Sequence, residues 1–193
     1  MVTYIPDEHL YLDSNGVLIP GVSTLLGFKF KEQYKNIPEE ILKNKAQYGT
    51  EVHAAIESYI KGEKQEINTQ INSALKEYIR ITEEALLKPK EIEKMVDYKE
   101  RYAGRFDAIT VDNIVVDYKT TYSTSEEKWG WQLGYYALAI KEYNKKVNTE
   151  FGYVVWLPKN KKGRLIRVDY PNKKELLDNL KNYEESNVLP NLQ

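Results

Sequence analysis

The sequence predicts an α/β fold, one mixed β-sheet with helices on its faces. Three observations carry that reading. Residues 91–121 divide into three runs of strand character, "EIEKMVDY", "YAGRFDAIT" and "NIVVDYKTT". Amphipathic helical stretches lie on either side of them. A further strand pair, "EFGYVVWL" and "GRLIRVDY", then precedes a closing helix. The order is helix, three strands, helix, strand, strand, helix, with an αβββαβ core. The 193 residues contain no low-complexity linker, so a single domain over 1–193 is expected.

Each element has local reasons. In "HLYLDSNGVLI", Ser14-Asn15-Gly16 reads as a hairpin turn. "PGVSTLL" follows, and Ser23 or Thr24 is expected to cap a short helix. "IPEEILKNKAQYGTEVHAAIESYIKG" reads as one helix or two joined ones, with Pro38 in the first turn and Gly62 at the exit. "NTQINSALKEYIRITEEALL" has the apolar spacing of another amphipathic helix. "SEEKWGWQLGYYALAIKEYN" has acids near its start and basic residues near its end, as the helix dipole favours. The hairpin around the basic loop Pro158–Gly163 leads to "PNKKELLDNLKNYEES", with Pro171 near its first turn.

Composition removes several function classes. The chain has no cysteine, which excludes disulfides, Cys-zinc sites, thiolate catalysis and Cys-ligated iron–sulfur clusters. No apolar run is long enough to cross a bilayer, and the N-terminus lacks the pattern of a signal peptide. A cytoplasmic location is the default expectation. The net charge of −1 means that any grip on phosphates comes from a local patch.

The tetrapeptide "VDYK" occurs at Val96–Lys99 and at Val116–Lys119. The first copy stands amid mixed Lys and Glu and reads as a solvated strand end. In the second copy apolar "IVV" runs straight into the charges, so Asp117 and Lys119 share one face of a largely buried strand. Charges so placed cost stability unless they are paired or hold a ligand. Ten residues upstream lies Asp107. A two-residue turn at Asp112-Asn113 would face it away from Asp117. A three-residue turn, Val111-Asp112-Asn113, would set the two directly opposite, with Asn113 tolerating the left-handed backbone. The second register, or a bulge with the same effect, is expected. Two adjacent carboxylates repel, and a divalent cation removes the conflict. Oxygen-rich ligation favours Mg²⁺ or Mn²⁺. Gly49, His53 and Glu57 share one helix face, as do Gln132 and Tyr136.

These residues together resemble the PD-(D/E)XK nuclease superfamily, in its RecB-like branch that includes lambda-exonuclease-type phage enzymes. The resemblance rests on "GTEVH" (Gly49, His53), "GRFD" (Gly104, Asp107), "VVDYKTT" (Asp117, Lys119) and "QLGYY" (Gln132, Tyr136), in that order. "LIPGVSTLL" also looks like a leading segment of phage members. The resemblance spans about residues 17–140. It implies a restriction-endonuclease-like sheet and a metal-dependent DNA nuclease of bacterial or phage origin, active in recombination, repair or phage DNA processing. It further implies that Asp107, Asp117, His53 and the Tyr118 carbonyl ligate Mg²⁺ or Mn²⁺. Lys119 would act at the phosphate or the water, and Gln132 and Tyr136 would support it. In this branch the Asp follows a glycine turn. The lack of cysteine sets the chain apart from iron–sulfur members. The absence of G-x-x-x-x-G-K-[ST] means no ATP-driven motor is fused here, so a stand-alone enzyme, most readily an exonuclease, is expected.

Local patches would hold the DNA. "PKNKKGR" supplies Lys159, Lys161, Lys162 and Arg164, and Ser23 and Thr24 near a helix start could meet a phosphate. Family analogy allows a homo-oligomer, and a recombination or single-strand-binding partner protein. Two rival readings stay open: a non-catalytic nucleic-acid-binding module on the same fold, and a scaffold in which the charges form an ion-pair network.

Overall fold

The computed structural model describes residues 1–31, 39–64 and 66–188. Three short strands open the chain, β1 (Thr3–Ile5), β2 (Leu10–Leu12) and β3 (Leu18–Ile19), paired antiparallel in that order. The hairpin turn falls at Ser14-Asn15-Gly16: Asp13 Oδ1 accepts from the backbone of Asn15 and of Val17, each at 2.8 Å, and Gly16 takes φ +78°. The expectation of one sheet is therefore corrected to two. Strands of two or three residues are too short to show an alternating pattern, and β1 was not foreseen. This small sheet packs through Val2, Ile19 and Tyr11 onto Ala103.

Helix α1 (Val22–Lys29) starts from an N-cap at Gly21, with no side-chain cap bond. Ser23 and Thr24 are exposed inside its first turn, not caps. Gly21 forms a parallel bridge with Ala103, and the Ala103 N–H donates to Pro20 O at 3.1 Å. That pairing keeps the backbone extended up to Gly21 and fixes where the helix begins. Helix α2 (Glu39–Lys61) follows, and Pro38 lies outside the described residues. Gly62, at φ +71°, ends α2 as expected, with its N–H on Tyr59 O and that of Glu63 on Ser58 O. Helix α3 (Thr69–Glu84) is capped by Asn68, whose side chain accepts from Gln70 N and Ile71 N.

The main sheet comprises β4 (Pro89–Tyr98), β5 (Tyr102–Thr110), β6 (Val115–Lys119), β7 (Phe151–Trp156) and β8 (Arg164–Asp169), in that spatial order. All neighbours are antiparallel except β6 and β7, which run parallel. A parallel pair needs a crossover, and α4 (Glu126–Ile140) supplies it. Its first turn holds Glu126 and Glu127, but its last turn holds no basic residue; Lys141 falls at the cap. Helix α5 (Lys173–Val188) closes the chain. Asn172 Oδ1 accepts from Glu175 N at 3.0 Å and Glu175 Oε2 accepts from Asn172 N at 2.9 Å, a reciprocal capping box just after Pro171.

The core has a layer on each face of this sheet. Ile109, Val115, Val154 and Ile166 pack with Leu133 and Ala137 of α4, and with Leu176 and Leu180 of α5. Ala108, Val116, Tyr118 and Val155 pack with Val52 and Ile56 of α2 and with Ile71 and Tyr78 of α3. Strand β6 thus alternates between two helical layers. Burial on both sides explains its continuous apolar run and isolates the charges at its C-terminal end.

Candidate metal centre

The geometry begins at the β5–β6 turn. Thr110 N donates to Ile114 O at 3.0 Å and Asn113 N to Thr110 O at 2.9 Å. The turn is Val111-Asp112-Asn113, with Asn113 at φ +61°. Pairing then runs Ile109↔Val115 and Ala108↔Val116. One step further, Asp107 stands opposite Asp117, as the three-residue turn requires. There the two strands part. In place of a strand carbonyl, the Tyr118 N–H finds Asp107 Oδ2 at 2.6 Å.

On its other side, β5 pairs Ile92↔Ala108 and Lys94↔Phe106 with β4. That register sets Glu93 opposite Asp107, so Glu93, Asp107 and Asp117 form a row across three strands. Glu93 has φ +47°, a left-handed conformation that a residue of this type adopts only under constraint. Arg105 Nε donates to Glu93 Oε2 at 2.6 Å and fixes the side chain. The role of Glu93 was not foreseen in "KPKEIEKM". Counting back from the Tyr98↔Tyr102 end of the hairpin would have found it.

His53 reaches the row from α2. Val52, Ala55 and Ile56 are buried against the sheet and orient that face of the helix. His53 Nε2 donates to Tyr118 O at 2.9 Å. A carbonyl only accepts, so Nε2 carries the hydrogen, and Nδ1, 3.4 Å from Asp107 Oδ1, is the ring atom that could ligate an ion. A metal-binding histidine commonly donates its second N–H to a carbonyl in this way. The Tyr118 carbonyl, expected as a metal ligand, accepts this bond from His53. One ligand atom from each of His53, Glu93 and Asp107 lies within 4.8 Å of the others. Asp117 turns towards Lys119, whose Nζ lies 2.6 Å from Oδ2. That approach lacks hydrogen-bond directionality, and the buried Oδ2 has no hydrogen bond.

Electrostatics sharpen the picture. Burial pushes the Asp117 carboxyl up to about 6, with Lys119 opposing and the charge on Asp107 adding to the rise. Burial also acts on Asp107, but His53, Lys119 and the Tyr118 N–H outweigh it and hold that carboxyl below its ordinary value. Burial, then Asp107, raises Glu93. Burial would lower His53, yet the charge of Asp107 and contact with it, helped by Asp117, lift the imidazole to about 9. The proton on His53 and the ammonium of Lys119 offset carboxylates that repel one another once ionised. A divalent cation fits this donor set, because it satisfies the same oxygens and Nδ1 at once.

Gln132 and Tyr136 share a face of α4, and the Gln132 side chain reaches the Tyr136 hydroxyl. Burial, then the charge on Asp117, pushes the Tyr136 phenol far up, so it stays neutral. Neither residue hydrogen-bonds Lys119 among the described residues. The Tyr136 ring lies against Gly104, where a Cβ would come within 2.8 Å of Cε1 and 2.9 Å of Val22 Cγ2. Gly104 is inside β5, not in the turn that the resemblance implied. Its missing side chain admits α1 and α4 to the strand beside the site.

Other expected residues sit apart. Glu57 pairs with Lys61 at 2.6 Å on the surface of α2. Asp97, of the first "VDYK", accepts from Glu100 N at 2.9 Å in the β4–β5 turn. Lys159, Lys161, Lys162 and Arg164 are exposed at and after the β7–β8 loop. The preceding strand end is tied to the segment after Asp117: Leu157 N donates to Lys119 O at 2.7 Å, and Trp156 Nε1 to Thr121 O at 2.8 Å.

The family model of the PD-(D/E)XK nuclease superfamily matches residues 74–189, which include the row of acids, Lys119, Gln132 and Tyr136. An alkaline exonuclease from Laribacter hongkongensis is similar in fold, with TM-score 0.51 and 10% identity over 87% of each chain. A putative exonuclease from Eubacterium rectale has TM-score 0.51 and 10% identity over 84% of this chain and 76% of its own. A search of curated protein sequences gives no match. No described helix is long and apolar enough to cross a membrane. With a restriction-endonuclease-like mixed sheet and a family match over more than half its length, the chain belongs to the PD-(D/E)XK nuclease superfamily.

Proposed function

We propose that this protein is a divalent-metal-dependent deoxyribonuclease, an exonuclease of DNA recombination or repair. The observation that carries the reading is the row of Glu93, Asp107 and Asp117 with His53 on one side and Lys119 on the other. His53 Nδ1, Glu93, Asp107 and Asp117 would hold Mg²⁺ or Mn²⁺, a choice that the oxygen-rich set favours. When bound, the ion polarises a phosphate oxygen and makes a coordinated water more acidic.

The chain's own groups do the remaining work. Lys119 places a cation beside the reacting phosphate and stabilises charge that builds there. Tyr118 fixes two partners through its backbone: its N–H orients Asp107 and its carbonyl orients His53. Arg105 holds Glu93 in place. Gln132 and Tyr136 wall the site from α4, and the neutral phenol adds no charge to it. Lys159, Lys161, Lys162 and Arg164 hold the DNA, with Ser23 and Thr24 at the exposed start of α1 as further phosphate donors. The named activity of the two structural neighbours supports an end-dependent enzyme.

End-labelled linear DNA and closed circular DNA, each incubated with Mg²⁺ and with EDTA, test the reading. Metal-dependent loss of the linear substrate alone is expected. Lys119→Ala should slow it by about 10²–10³-fold, the usual cost of a lost transition-state donor. Digestion of neither substrate would overturn the nuclease reading. Digestion of both would make the enzyme an endonuclease.

A further inference from the structure

Beside the segment that follows Lys119 lies a groove of about 450 Å³. Tyr48 of α2, Thr69, Gln70 and Ser73 of α3, and Lys159 and Lys161 of the β7–β8 loop line it. We propose that this groove is a subsite for an unpaired DNA strand leading to or from the metal centre. The inference rests on the nuclease reading and adds to it the form of DNA that is held.

Position is the first argument. Leu157 N and Trp156 Nε1 tie the base of the loop to Lys119 O and Thr121 O. At Gly49, next to Tyr48, a Cβ would lie 3.3 Å from Thr120 Oγ1. The groove therefore adjoins the residues immediately after the lysine of the site.

Charge is the second. The molecule has a net charge of −1, yet three lysines gather here, and none of Lys159, Lys161 and Lys162 makes an ion pair among the described residues. Glu77, the acid in the lining, is already engaged: Arg80 Nη2 and Gly163 N each donate to its Oε2 at 2.8 Å. Arg80 above all holds that carboxyl below its ordinary value. Glu77 thus anchors the loop, and of the three lysines Lys162 is the one whose charge acts on it.

The third argument is the mixture of groups. Lys161 Nζ lies 3.7 Å from the centroid of the exposed Tyr122 ring, and Lys159 Nζ lies 5.4 Å from that of Tyr48. Cations interleaved with aromatic rings suit phosphates and unstacked bases together. Thr69, Gln70 and Ser73 add neutral hydrogen-bonding groups. The volume is in the range of small-ligand sites, roughly 300–1,000 Å³, which suits a nucleotide or two and not a duplex.

Fluorescence anisotropy of the full chain in EDTA, with a short single-stranded oligonucleotide and a blunt duplex hairpin, provides the test. Replacing Lys159, Lys161 and Lys162 together by Ala should weaken single-strand binding at least tenfold. The slope of log K against log salt should flatten by about 2, at roughly 0.7 per lost phosphate contact. Duplex binding should weaken by a clearly smaller factor. Tyr122→Ala, which leaves the charge intact, should weaken single-strand binding at least about fivefold. Thermal melting checks that both variants are folded. Unchanged single-strand affinity, no single-strand binding by the parent protein, or equal loss for the duplex would overturn the proposal. Mg²⁺-dependent cleavage of the same oligonucleotides separates the two readings. A parent protein that cleaves beside a triple variant that binds normally rejects the groove alone. A parent protein that never cleaves rejects the nuclease reading.

Discussion

Asp117 and His53 carry the tension of the site, in opposite senses. The Asp117 carboxyl, raised from 3.8 to about 6, holds its proton more tightly in the folded protein than in the unfolded chain. Its contribution therefore falls as pH rises from about 4 to 6 and stays unfavourable above. Asp117→Asn removes that cost without changing shape. In EDTA at pH 7 the variant should melt a few degrees higher than the parent, at about 2–4 °C per kcal/mol for a chain of this size. Its cleavage rate should drop by about 10²–10³-fold or more. If the charges were instead a structural ion-pair network, the same variant would melt lower. For His53 the sign differs. An imidazole raised from 6.5 to about 9 stabilises the metal-free protein below pH 6.5, and that contribution is lost as pH rises through 9. A metal ion must displace this proton, so metal affinity should climb between about pH 7 and 9, by up to tenfold per unit. Calorimetric titration with Mn²⁺ in two buffers of different ionisation enthalpy would reveal the released proton. His53→Ala should abolish that part of the release.

Among the elements, the β5–β6 turn determines whether there is a site at all. Its three residues put Asp107 opposite Asp117, and one residue fewer would turn the side chains of β6 to the other face. Asn113 bears the left-handed conformation. Its Oδ1 accepts from Asn144 Nδ2 at 3.0 Å and its carbonyl from Asn148 N at 2.9 Å, so the turn is also tied to the α4–β7 connection. Asn113→Ala should cost about 1–2 kcal/mol, read as a lower urea midpoint, because a Cβ-bearing residue without a local polar partner is strained there. Asn113→Gly relieves the strain, and should recover part of the loss, but not the bond to Asn144. This turn was legible in the sequence because Asn, a buried apolar strand and ten-residue spacing between aspartates all pointed to one register. Glu93 was not, since its position depends on a second hairpin whose turn, at Lys99 and Glu100, has no glycine or asparagine to mark it. The start of α1 was misread for a related reason. Pairing of Gly21 with the distant Ala103, not a nearby hydroxyl, sets it. Local chemistry reveals local geometry; contacts between residues far apart in sequence leave no local mark.

At the scale of the molecule, the acids come from β4, β5 and β6, and the histidine comes from α2 on the other core layer. A ligand that binds all four ties the helical layer to the sheet, and it can do so only in the folded chain. Its binding energy therefore adds to stability. At a free concentration one hundred times its dissociation constant the gain is about 2.7 kcal/mol. For a chain of this size that is a rise of about 5–10 °C in Tm. Mn²⁺ or Mg²⁺ should produce such a rise at pH 8, and EDTA should reverse it. Glu93→Gln and Asp107→Ala should each reduce the increment sharply. Lys119→Ala should keep it, because the lysine serves the phosphate and not the ion. A rise of equal size in all three variants would place the ion elsewhere on the protein. An increment lost only with Asp107→Ala would exclude Glu93 from the ligand set. The pattern across variants, more than the rise itself, ties the ion to the row that β4, β5 and β6 build together.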